Sequence, residues 1–90
     1  MPVVRFPAAL KYYVDGHSEM DIPAASVTEL LAALVTRYPS LKFHLLDADG
    51  KLRRYFNVFV NGEHIRELNG LDTALKPDDK IILMASAAGG

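Results

Sequence analysis

Between residues 27 and 38, Val27, Leu30, Leu31, Leu34, Val35 and Tyr38 fall at offsets 0, 3, 4, 7, 8 and 11. That is the one-sided apolar stripe of an amphipathic helix. Ser26 and Glu29 open it as a capping box, the serine hydroxyl accepting an orphan amide of the first turn and the glutamate reaching back to the cap amide. Pro39 closes it, because the residue before a proline is driven out of the α region. Elsewhere the pattern changes to short β-type runs. Val3 to Phe6 reads as a strand ended by Pro7, Asp15-Gly16 as a hairpin turn, and His17 to Ile22 as a returning strand, with residues 8–14 widening the loop. Ser40 to Leu46 reads as a short second helix and residues 47–50 as a turn. Tyr55 to Val60 is rich in β-formers, Asn61-Gly62 is the favoured type I′ pair, and Glu63 to Leu68 returns. After a turn at Pro77-Asp78-Asp79, Lys80 to Ala85 is a final apolar strand.

Two hairpins and a last strand around one main helix predict an α+β roll, a mixed sheet of four to five strands with the helix (about 26–38) across one face. The final strand can pair centrally between the first and third strands, and Ile81-Ile82-Leu83-Met84 reads as covered on both faces. This is the β-grasp, or ubiquitin-like, arrangement. Phe56, Val58 and Val60 fall on one face of their strand and are assigned to the core; Tyr55, Asn57 and Phe59 fall on the other. Residues 1–86 are expected to form the domain. Residues 87–90, Ala87-Ala88-Gly89-Gly90, carry nothing able to pack and are expected to be a flexible tail.

Composition narrows the function. Ninety residues suffice for one small core, and 50% apolar with 23% charged residues is an ordinary globular balance. A net charge of −1 argues against nucleic acid as the main partner. The absence of cysteine excludes disulfides, thiolate metal sites and a cysteine nucleophile. The opening residues lack a secretory pattern, and the longest apolar run, Leu30 to Val35, is far short of the roughly 20 residues that span a bilayer. A cytoplasmic protein without a membrane partner is expected.

His17, His44 and His64 show no ligand spacing, and Asp47 with Asp49 is too little for a calcium loop, so no metal or bound cofactor is expected. Arg53, Arg54 and Arg66 read as solvated charge, with a small basic contact patch as the alternative. No nucleophile–base pair suggests a self-contained enzyme.

The tail asks for a functional account. At a glycine frequency of ~7%, a chance Gly-Gly terminus occurs in about 0.5% of chains, although fraying, truncation or a cloning remnant would also explain one. Small side chains suit a segment that must enter a narrow cleft. Its unhindered carboxylate could be activated as a mixed anhydride with AMP and then attacked by a persulfide or a thiol. The carrier itself would need no catalytic side chain.

At this point the residues match a known group. Val3-Val4-Arg5-Phe6-Pro7-Ala8-Ala9-Leu10, the helix over Ser26 to Tyr38, Phe56-Asn57-Val58-Phe59-Val60-Asn61-Gly62-Glu63, the Pro77-Asp78-Asp79 turn and the Gly89-Gly90 end together resemble the small sulfur carriers of the MoaD/ThiS-like family. The resemblance implies that an E1-like enzyme, using ATP and Mg²⁺, adenylates Gly90. A sulfurtransferase or persulfide then supplies sulfur, and the resulting thiocarboxylate passes it to a biosynthetic enzyme. Gly89 supplies the slender approach. The stretch from Gly50 to Val58 and the Ser86–Gly90 end are most similar to carriers serving cysteine or methionine biosynthesis. The small subunit of molybdopterin synthase, a ubiquitin-like modifier and a β-grasp interaction module are the alternatives. Family partners grip the sheet face and the tail, which makes Phe59, Ala87 and Ala88 the candidate contact residues. For Phe59 the competing account is a cross-strand partner filling out the sheet surface.

Overall fold

A computed structural model describes residues 1–85. Its five strands are β1 (Val3–Arg5), β2 (Glu19–Asp21), β3 (Phe56–Val60), β4 (Glu63–His64) and β5 (Lys80–Ala85), and its α-helices are α1 (Ala8–Lys11), α2 (Val27–Arg37) and α3 (Lys42–Leu45). The sheet order is β2-β1-β5-β3-β4, with β5 parallel to β1 and antiparallel to β3. The last strand therefore lies at the centre, and the mixed sheet with α2 on one face is the expected β-grasp.

Helix α2 starts where its cap dictates. The Ser26 hydroxyl accepts the Glu29 N–H at 3.2 Å, but the Glu29 carboxylate accepts from Ala25 N–H, at 3.3 Å, rather than from the cap amide itself. At the other end, the Tyr38 N–H closes on the Leu34 carbonyl. Val27, Leu30, Leu31 and Leu34 are buried against Val4, Phe56, Val58, Val60, Ile81 and Leu83 of the sheet's inner face, within a single core cluster. Phe56, Val58 and Val60 thus take the inner positions assigned to them, and Asn57 and Phe59 the outer ones.

The structure departs from the sequence reading in several places. Residues 8–14 are not an open loop: α1 and a 3₁₀ turn over Tyr12–Val14 fill them, because Leu10 and Val14, one helical repeat apart, both reach the core. The 40–46 segment is a 3₁₀ turn over Pro39–Leu41 running into α3. The return strand after Asn61-Gly62 lasts only two residues. The His64 ring accepts the Arg66 N–H and starts a 3₁₀ turn over Ile65–Glu67 that buries Ile65. Asn61 (φ 51°) and Gly62 (φ 86°) both take the left-handed conformation that a type I′ turn requires.

Strand β5 is not covered on both faces. Ile81 and Leu83 are buried, Ile82 is half-buried, and Met84 is 49% exposed. Its apolar run combines a core face with an apolar outer face.

Candidate partner surface beside the end of the central strand

The strand registers define a row of residues across the outer face. Arg5 stands opposite Glu19 on one side and Ile82 on the other; Ile82 faces Phe59, and Phe59 faces His64. One line across all five strands therefore reads Glu19, Arg5, Ile82, Phe59, His64. The next row toward the end of β5 pairs Met84 with Asn57. The middle of this face is apolar and its flanks are polar, as in an interface with an apolar centre and a wet rim.

Phe59 is half-buried and held by its neighbours. The His64 ring meets it edge-on, with centroids 5.2 Å apart and planes at 78°. His64 Nδ1 accepts the Arg66 backbone N–H at 3.0 Å. The ring hydrogen therefore lies on Nε2 and is donated to Asn57 Oδ1 at 3.0 Å. Phe59 is thus a cross-strand partner in the sheet, and its remaining exposed surface is presented in a fixed orientation.

Because β1 and β5 are parallel, their C-terminal ends share one edge of the molecule. There Arg5, Phe6, Pro7, Ala9, Ile82 and Met84 line a largely apolar groove of about 540 Å³. The chain continues from this edge into residues 86–90. The candidate residues Ala87, Ala88, Gly89 and Gly90 lie outside the described residues. Phe59 is brought near their root: its partner Ile82 is three residues before Ala85, about 10 Å along a strand. Ile82 and Met84 belong to this surface and were missed from sequence. Their alternation with Ile81 and Leu83 was the available signal, masked because all four are apolar.

The other polar candidates do not converge. Arg53 and Arg54 line a cleft with Asp47 and Tyr55, whereas Arg66 lies beside Lys51 and His64 in a different one. The Arg53 Nε–H is donated to the Phe43 carbonyl. His44 stacks on Tyr13 at 4.2 Å, and Asp47 Oδ1 accepts the backbone N–H groups of Asp49 and Lys51, a local turn. Among the described residues no group of three His, Cys, Asp or Glu side chains could hold a metal ion, and no helix is long and apolar enough to cross a membrane.

Comparison with known proteins agrees with this geometry. A candidate sulfur carrier protein of Archaeoglobus fulgidus is 31% identical over 87 residues, covering 97% of this chain and 96% of that one. The small archaeal modifier protein 3 of Haloferax volcanii is 33% identical over 66 residues, 73% of this chain and 71% of that protein. The solved Amycolatopsis orientalis BexX/CysO complex contains a chain matched over 100% of both lengths, at 29% identity and a TM-score of 0.89. The model of the ThiS family matches residues 4–90. With the fold, the sheet order and the matched span in agreement, this chain belongs to the ThiS family, the ubiquitin-like sulfur carriers.

Proposed function

We propose that the protein is a co-substrate whose Gly90 carboxylate is activated by an E1-like enzyme and converted to a thiocarboxylate. The observation that carries this reading is the placement of the central strand. β5 runs directly into residues 86–90 beside an uncovered outer face bearing Met84, Ile82 and Phe59. A partner that grips this face holds the root of the tail, and the side chains of Ala87, Ala88, Gly89 and Gly90 are small enough for a narrow active-site channel.

The chemistry then belongs to the partners. A Gly90 carboxylate oxygen attacks the α-phosphorus of Mg²⁺-bound ATP and pyrophosphate leaves. Hydrosulfide, or a persulfide whose S–S bond is afterwards cleaved by a thiol, attacks the acyl carbon, and AMP leaves. The thiocarboxylate sulfur passes to an accepting enzyme. The likeness to a chain of the CysO complex favours an acceptor in cysteine or methionine biosynthesis over molybdopterin synthase. Residues 1–86 serve as the gripping domain and 87–90 as the reacting tail, working in the cytoplasm without a bound cofactor.

Deletion of Gly90 tests this reading. Loss of adenylate formation with an unchanged melting temperature is expected, because glycine carries no side chain to pack. A deletion that unfolds the domain would give the tail a structural role instead. The resemblance to an archaeal modifier favours one second reading, attachment of Gly90 to lysines. Isopeptide-linked conjugates in cell extract would establish it.

A further inference from the structure

A second apolar feature runs from α2 toward the β4 edge of the sheet, where it reaches His64 at the end of the outer row. Leu31 and Val35 of α2 line a groove of about 180 Å³ with Leu46 and Leu71. Leu71 also lines an adjoining space of about 380 Å³ with Leu52 and Ile65, where Lys51, His64 and Arg66 form the rim. The two spaces adjoin at Leu71, and together they present aliphatic walls with basic side chains at one end. Among the described residues, no acidic side chain lines either part. The Thr28 hydroxyl donates to the Leu71 carbonyl at 2.8 Å and fixes the wall.

The groove also offers open backbone. Leu46 and Leu52 form an isolated antiparallel bridge, flanked by bonds from Asp47 N–H to the Lys51 carbonyl (2.7 Å) and from Arg53 N–H to the Leu45 carbonyl (2.9 Å). In a pair flanked this way, the backbone groups of the paired residues point away from each other. The N–H and C=O of Leu52 accordingly face outward, with no hydrogen-bond partner among the described residues. Open backbone groups beside aliphatic sockets can take up an extended peptide, main-chain bonds supplying affinity and alternate side chains specificity, and here the single bridge residue Leu52 offers one such pair.

We propose that this groove binds an extended segment of a partner protein, aliphatic at alternate positions and acidic beside them, added as a strand against Leu52. The aliphatic side chains would fill the sockets at Leu71, and the acids would meet Lys51 and Arg66. The groove reaches the outer row at His64, whereas Ile82 and Met84 line neither part of it and stay uncovered when it is occupied.

The test is a nuclear magnetic resonance titration of the ¹⁵N-labelled full chain with the synthetic peptide Asp-Asp-Val-Ile-Val-Leu-Asp-Glu, alongside a control peptide with every acid replaced by Lys. Saturable shifts confined to the amides of residues 46–53 and 64–72 and of α2 are expected, and binding should weaken with added salt. The Lys51→Glu/Arg66→Glu double variant should bind at least roughly tenfold more weakly at an unchanged melting temperature. Should that variant misfold, the salt series on the wild-type chain still decides. The proposal is overturned if no saturable shifts occur at millimolar peptide, if they fall on Arg5, Ile82 and Phe59 instead, or if the lysine control binds equally well.

Discussion

The side-chain amide of Asn61 donates to Asp79 Oδ1 at 2.9 Å, tying the β3–β4 turn to the turn that launches the central strand. The clamp extends on both sides. The Lys80 N–H donates to Asn61 Oδ1 at 2.9 Å, and the Lys76 N–H to Asp79 Oδ2 at 2.8 Å. The two residues therefore fix the register in which β5 enters between its neighbours, and with it which side chains of β5 face outward.

The clamp should be sensitive to acid. The Lys76 N–H, followed by the Asn61 amide, holds the Asp79 carboxyl below its ordinary value of 3.8. A carboxylate whose pKa is depressed by folding stabilises the fold above its unfolded value and loses that contribution as the pH falls through its folded value. The melting temperature of wild type should exceed that of Asp79→Ala at neutral pH, and the gap should narrow below pH 3.8. Thermal melts down to about pH 2 check this; a gap independent of pH would leave the charge without a role.

The cap of α2 gives a second expectation. Ser26→Ala removes the acceptor for the Glu29 N–H and should cost about 0.5–2 kcal/mol in denaturant unfolding. Glu29→Gln keeps an oxygen for Ala25 N–H and should cost much less. A larger loss in Glu29→Gln than in Ser26→Ala would mean that the exposed carboxylate, not the serine, secures the helix start.

Neighbouring residues of β5 should behave oppositely. Leu83 is 1% exposed and Met84 49% exposed. Leu83→Ala should cost about 2–5 kcal/mol of stability. Met84→Ala should stay within about 0.5 kcal/mol yet raise the KM of the activating enzyme for this protein. Phe59→Ala should do the same with a modest stability loss, since its ring also packs on His64. A collapse of melting temperature in Met84→Ala, or an unchanged KM in both variants, would remove the outer face from the docking surface.

Much of this was legible where one period repeats without competition. The stripe from Val27 to Tyr38 carries α2 almost to the residue, and Asn61-Gly62 carries the β3–β4 turn. The segment after Pro7 was not legible as helix. A strand before it and a turn signal at Asp15-Gly16 suggest a simple hairpin, and only the core shows that Leu10 and Val14 need one helical turn between them. Nor does sequence tell a strand covered on both faces from one with an apolar surface. Ile82 and Met84 look like Ile81 and Leu83, and only the position of α2 distinguishes them. The three arginines illustrate the converse, since their nearness in sequence or type does not bring Arg53 and Arg54 into the cleft of Arg66.

The central claim is tested most directly by the intact mass of the protein after incubation with its E1-like enzyme, ATP, Mg²⁺ and a sulfide source. The account predicts a species with one oxygen replaced by sulfur, placed by fragmentation at Gly90 and missing when Gly90 is deleted. An authenticated activating enzyme that forms neither adenylate nor thiocarboxylate on this chain would contradict it.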